Sequence, residues 1–179
     1  MSVYMVFDVE SIGLHGEGFA WGAVIVDSDG NTLQEAEAYC DPGLARGTSS
    51  SHEWVRKNVT FSDSARRMYS VSAVRQAFWS LWAKWKKLGA TLAADCCWPV
   101  EARFLAACVD DLHASREWEG PYPLLEISTV LLCAGQGPLA VYGRLPSEVP
   151  AHSALSDARQ SARLLLEALS RTSAWHDGG

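Results

Sequence analysis

The chain opens on Val3 to Val9, an apolar run rich in Val and aromatic residues that predicts a central strand. Phe19 to Asp27 predicts a second. From Thr32 to Cys40 the pattern becomes an alternation, with Leu33, Glu35, Glu37 and Tyr39 set between Gln34, Ala36, Ala38 and Cys40. Asp29-Gly30 lies between these two stretches and has turn chemistry, so they read as a β-hairpin and the sheet begins as an antiparallel meander. Pro42 to Ser51 reads as a loop, with a short helix over His52 to Asn58. The period then changes to that of a helix. Val74, Phe78, Leu81, Trp82, Trp85 and Leu88 share one face of the segment Val71 to Leu88, which ends on three lysines and Gly89. Ala90 to Ala94 predicts a short buried strand, and Pro99 the first turn of a helix running to about Leu112. Leu124 to Ile127 predicts a fifth strand and Thr129 to Ala134 a short helix. After a Gly- and Pro-containing loop from Gly135 to Pro150, Ser153 is placed to cap a final helix whose apolar face is Ala158, Ala162, Leu165, Leu166 and Leu169.

A length of 179 residues suits one well-buried domain, taken as 1–172, with 173–179 as a flexible tail. Nearly half the residues are apolar and a fifth are charged, a globular rather than a disordered composition. The net charge of −6 argues against a protein that coats nucleic acid by bulk electrostatics, which needs many Lys and Arg contacts to phosphate. An enzyme that grips only a strand end through metal ions has no such need. Five cysteines, an odd count without a C-x-x-C pair, signal neither a disulfide framework nor a structural zinc site. No apolar run is long enough to span a membrane and no leader pattern is present, so the expectation is no membrane partner and a cytoplasmic location.

The chemistry sits near the two ends of the chain. Val6-Phe7-Asp8-Val9-Glu10 places two carboxylates one residue apart at the end of the first apolar run. Residues i and i+2 of a strand point to the same side, so both acids face one spot. His152-Ser-Ala-Leu-Ser-Asp157 brings a histidine and a third carboxylate to the opening of the final helix. Clustered carboxylates suit hard cations such as Mg²⁺ or Mn²⁺, which keep open positions for phosphate oxygens, and the histidine can deprotonate water near neutrality. Taken singly these residues have plainer explanations. Asp157 would be a first-turn acid favoured by the helix dipole, Glu101 an acid favoured near a helix start, and His152 an exposed loop residue.

Element order and motifs together resemble the DEDDh-type 3′-5′ exonucleases of the ribonuclease H-like superfamily, the group that includes proofreading exonucleases, oligoribonuclease and RNase T. The resemblance rests on Phe7-Asp8-Val9-Glu10, on Ile12-Gly13-Leu14, where such enzymes often carry a small apolar wedge, and on His152 five residues before Asp157. The middle motif departs from the pattern: Ala94-Asp95-Cys96-Cys97-Trp98-Pro99-Val100-Glu101 offers Asp95 at a strand end and Glu101 at a helix start. Asp95 has the family's residue type and a rigid strand-end position, which favours it slightly, while Glu101 has the family's place before Phe104-Leu105. The stretch 41–70 has no counterpart in the pattern.

The resemblance implies an α/β ribonuclease H-like fold with a mixed five-stranded sheet and helices on both faces. It implies two Mg²⁺ or Mn²⁺ ions held by Asp8, Glu10, Asp157 and the middle acid, Asp95 or Glu101, with His152 as general base. The reaction would be phosphodiester hydrolysis at a single-stranded 3′ end or on a short oligonucleotide, releasing nucleoside monophosphates; the alternative is an idle binding or scaffold protein on the same fold. Ile12, Leu14, Trp21 and Trp98 are the candidate substrate contacts, the tryptophans by stacking a terminal base or else as packing residues. Small exonucleases of this kind are often homodimers.

Overall fold

The computed structural model describes residues 2–173; the sequence-predicted tail lies almost wholly outside them. Among the described residues, six strands form one sheet. In chain order the elements are β1 (Val3–Ser11), β2 (Gly18–Asp27), β3 (Thr32–Tyr39), α1 (Ser49–Asn58), β4 (Arg66–Arg67), α2 (Val71–Lys87), β5 (Thr91–Ala94), α3 (Val100–Asp110), α4 (His113–Arg116), β6 (Leu124–Glu126), α5 (Ile127–Cys133) and α6 (Ala154–Ser173). The order across the sheet is β4-β3-β2-β1-β5-β6. β1, β2 and β3 form the expected antiparallel meander, while β5 runs parallel to β1 and β6 parallel to β5. The sheet has one strand more than the sequence predicts. β4 is only two residues long, Arg66 and Arg67, both exposed and paired with Ala38 and Tyr39, so it has no apolar run to announce it.

Strand alternation sorts β1 between two cores. Met5, Phe7 and Val9 enter a large core with Trp21, Phe78, Trp82 and Phe104, covered by α2 and α3. Val6 enters a smaller core with Val24, Val26, Ile127, Leu155, Ala158 and Leu165, covered by α5 and α6. The larger core is aromatic: Phe78 lies 4.9 Å from Phe7, 5.6 Å from Trp21 and 5.2 Å from Phe104 between ring centroids. The helices begin and end as their sequences direct. The Ser70 side chain accepts from Ala73 N at the start of α2, Thr48 does the same for Ser51 N in α1, and Gly89 follows α2 at a φ of 83° that favours glycine. α1 begins three residues earlier than expected because Thr48 caps it. No described helix is long and apolar enough to cross a membrane.

Candidate active site

Beyond Val6, the small-core face of β1 turns acidic. Asp8 and Glu10 leave this face, and Asp157 comes down on them from the first turn of α6. One carboxylate oxygen from each of Asp8, Glu10 and Asp157 lies within 4.8 Å of the other two. Two local features bring the helix so close. Gly22 of β2 is paired directly with Asp8, and a Cβ there would stand 2.2 Å from Leu155 N and 2.3 Å from Ala154 C. A bare backbone at this position therefore lets the start of α6 rest on the sheet. In addition, the Asp157 carboxylate accepts a hydrogen bond from His152 N at 3.1 Å, tying the preceding loop to the helix.

The cluster is acidic, and one cation touches it: Arg144 Nη1 stands 2.6 Å from Asp157 Oδ1. Asp8 is held well above the usual carboxylate range by burial first, and then by the charges of Glu10, Glu101, Asp157 and Asp95. Burial also pushes Glu10 up to about 7, with Asp157, Glu101 and Glu37 adding to it. Glu101 is likewise pushed up to about 7 by burial, against the lowering effect of its own amide and that of Val9. Such groups lose their protons most readily to a bound cation. The donors are all hard carboxylate oxygens, and Asp157 Oδ1 is buried without a hydrogen-bond donor. Both features fit Mg²⁺ or Mn²⁺.

The two middle-motif acids are placed differently. Glu101 is in the first turn of α3, only 8% exposed, and its charge acts on both Asp8 and Glu10. Asp95 stands at the exposed end of β5; its carboxyl is raised by desolvation and by Glu126 and Asp157, and its charge reaches Asp8.

His152 is exposed and sits in the loop just before α6, with φ at 59°, an uncommon conformation for a non-glycine residue. Its backbone is fixed on both sides: N donates to Asp157, and O accepts from Thr60 N at 3.0 Å. Its ring meets Trp54 edge-on, 4.9 Å between centroids. The stretch 41–70, without a family counterpart in the sequence, thus supplies the wall against which the histidine rests.

Two proposed substrate contacts are core residues instead. Trp21 is 3% exposed, donates from Nε1 to Val74 O at 2.9 Å and packs edge-on against Phe78, so it has no face to offer a base. Ile12 is 1% exposed and packs where a Cβ on Gly47 would stand, at 2.0 Å from its Cγ2. In both cases the side chain points to the large core. Leu14 and Trp98 are exposed, at 66% and 68%.

Sequence reasoning missed Gly22, Trp54 and Arg144. A glycine inside the apolar run of β2 was a readable sign of close backbone approach. Arg144 lies in an irregular loop, and nothing in its sequence neighbourhood marks it; its Nη1 stands 2.6 Å from Asp157 Oδ1. A cavity of about 340 Å³ opens beside it, lined also by Asp95, Tyr142 and Gln160. A larger cavity, about 730 Å³, lies at the sheet edge against α2 and includes none of Asp8, Glu10, Glu101 or Asp157.

Sheet order, helix placement and an acidic cluster across β1 and α6 define a mixed α/β, ribonuclease H-like fold. Among solved structures, the chain is similar to E. coli Exonuclease I in complex with a dT13 oligonucleotide, with a TM-score of 0.60 and 12% identity. The match covers 99% of this chain and 43% of that one, so the chain spans less than half the length of its neighbour. No model of a known protein family matches the sequence. No curated protein matches it either.

Proposed function

We propose that the protein is a metal-dependent 3′-5′ exonuclease that releases nucleoside monophosphates from single-stranded nucleic-acid ends or short oligonucleotides. The observation that carries this reading is the meeting of Asp8, Glu10 and Asp157 within 4.8 Å, on a fold shared with an exonuclease crystallised with a dT13 oligonucleotide. Asp8, Glu10, Asp157 and Glu101 would hold two Mg²⁺ or Mn²⁺ ions. We assign the middle position to Glu101 rather than Asp95 because Glu101 is buried in the first turn of α3, with its charge felt by both acids of β1, whereas Asp95 is exposed at the strand end. When bound, the ions would polarise the phosphoryl oxygens and acidify a water.

The chain's own groups do the rest. His152 accepts the water's proton as general base, with its backbone set by Asp157 and Thr60 and its ring by Trp54. The exposed Trp98 and Leu14 offer apolar surface to a terminal base without reading its identity. The contact between Arg144 and Asp157 favours a second reading, a nucleic-acid-binding protein without hydrolysis, in which the guanidinium permanently replaces the cation.

Hydrolysis of 3′-labelled single-stranded RNA, single-stranded DNA and duplex of matched sequence separates the two. The expected result is Mn²⁺-dependent release of monophosphates from single strands, abolished by chelator, and slowed about 100-fold or more in His152→Ala. Binding without hydrolysis in Mn²⁺ would establish the second reading and overturn the first.

A further inference from the structure

Arg144 is held differently from the other arginines of its neighbourhood. Arg163 forks onto Glu148 with two hydrogen bonds, at 2.7 and 3.0 Å, and Arg159 forks onto Glu35 in the same way. Arg144 has one hydrogen bond, from Nη1 to the backbone oxygen of Glu148 at 2.8 Å. Its approach to Asp157 Oδ1, at 2.6 Å, lies off the direction of a hydrogen bond, so that oxygen keeps no donor. Its side chain is 26% exposed, on a loop containing Gly135, Gly137 and Gly143. The cavity that it lines has one wall fixed by hydrogen bonds, Gln160 Nε2 to Tyr142 O and Tyr142 Oη to Gly137 O, and includes the exposed Leu139 and Val141.

We propose that Arg144 serves two anions in turn: it neutralises Asp157 in the metal-free protein, and it binds a phosphate oxygen of the substrate in the adjoining cavity once divalent ions hold Asp157. This rests on the nuclease reading above. A cation 2.6 Å from a ligand oxygen competes with a metal ion for that oxygen, since the two positive charges repel across a short distance in a partly buried site. A guanidinium displaced from a carboxylate keeps the planar fork that suits phosphate. The adjoining cavity pairs that fork with apolar walls from Leu139, Val141 and Leu164, which is the mixture a nucleotide presents.

The test measures two affinities whose changes run in opposite directions. Mn²⁺ binding is followed by electron paramagnetic resonance in the wild type, Arg144→Gln and Arg144→Lys, and adenosine 5′-monophosphate binding by calorimetry in saturating Mn²⁺. Arg144→Gln is expected to tighten Mn²⁺ about three- to tenfold by removing the competitor. The same variant is expected to weaken the monophosphate about tenfold. Arg144→Lys keeps the charge and loses the fork, so its Mn²⁺ affinity stays near wild type while the monophosphate weakens. A general loss of structure could not tighten Mn²⁺. Unchanged or weaker Mn²⁺ binding in Arg144→Gln, or unchanged monophosphate binding, overturns the inference and leaves the metal site standing. A wild type that binds no Mn²⁺ overturns the nuclease reading and this inference with it.

Discussion

Residues 7 and 8 are adjacent on one strand and live under opposite rules. Phe7 points into the aromatic core beneath α2 and α3, where large rings meet at 4.9 to 5.6 Å and fill the space. Asp8 points to the other face, where the start of α6 meets the sheet across a glycine, the backbone of Ala154 and Leu155 lying directly over Gly22. Bulk on the first face sets stability. A glycine on the second lets a helix start come near enough for three carboxylates to converge, a crowding of charge that the single contact from Arg144 offsets only in part. The same sheet thus stores its stability on one side and its strain in charge on the other.

The sharpest test of this contrast uses the neighbouring pair. Asp8→Asn should abolish Mn²⁺-dependent hydrolysis, by about 1,000-fold or more, while leaving the metal-free protein as stable as wild type or more so, because it removes one of several crowded charges. Phe7→Ala should instead cost about 3–5 kcal/mol of folding stability by emptying a packed aromatic site. Thermal unfolding and turnover measured on both variants would break the comparison if Asp8→Asn proved the less stable of the two.

Next in size is Gly22→Ala. Its new Cβ would meet backbone atoms of Ala154 and Leu155 at 2.2 to 2.5 Å, and backbone cannot swing aside as a side chain can. The expected cost is about 1–3 kcal/mol, with Mn²⁺ affinity falling at least tenfold as Asp157 is carried away from Asp8. Wild-type metal binding in that variant would show that the start of α6 is free to shift.

The middle acids sharpen the comparison further, since Glu101 is reached from the aromatic side and Asp95 from the open end of β5. Glu101→Gln should weaken Mn²⁺ about tenfold or more and Asp95→Asn only a few-fold. The reverse order, read by the same titration, would return the ligand to the strand end.

The last effect is one of pH. Glu10 and Glu101 have folded-state values near 7 against 4.5 for the free side chain, so between those values the folded protein binds more protons than the unfolded. Their contribution is therefore fully present at pH 4 and is lost as pH rises through 7. Without metal, the melting temperature should fall by roughly 5–10 °C between pH 5 and pH 8, other titrations being equal, and Mn²⁺ should restore it mainly at the upper end. A metal-free stability that rises over that range would mean that the acids are not crowded.

The order of the longer elements, the meander, the extent of α2 and the positions of Asp8, Glu10 and Asp157 were legible in the amino-acid sequence, whereas α4 and the Thr48-capped start of α1 were not. Each legible feature is written locally, in a period of two or 3.6 residues, in a turn pair such as Asp29-Gly30, or in a stop signal such as Gly89. Burial was legible where the pattern is periodic, as for Phe78 and Trp82, but not for Trp21 and Ile12. Their nearness in sequence to the acids says nothing about the face that they occupy, because one residue along a strand reverses the direction of the side chain. The two-residue β4 escaped because its pairing is made by backbone groups alone.

What only the tertiary structure decided is how far apart the pieces stand. That Gly22 admits α6, that Trp54 meets His152 ninety-eight residues further on by the numbering, and that Arg144 reaches Asp157 are consequences of packing between segments distant in the chain. Local sequence specifies which groups a strand or helix presents. The distance between two such groups is specified by the volumes of everything packed between them, and that sum is formed only when the chain is folded.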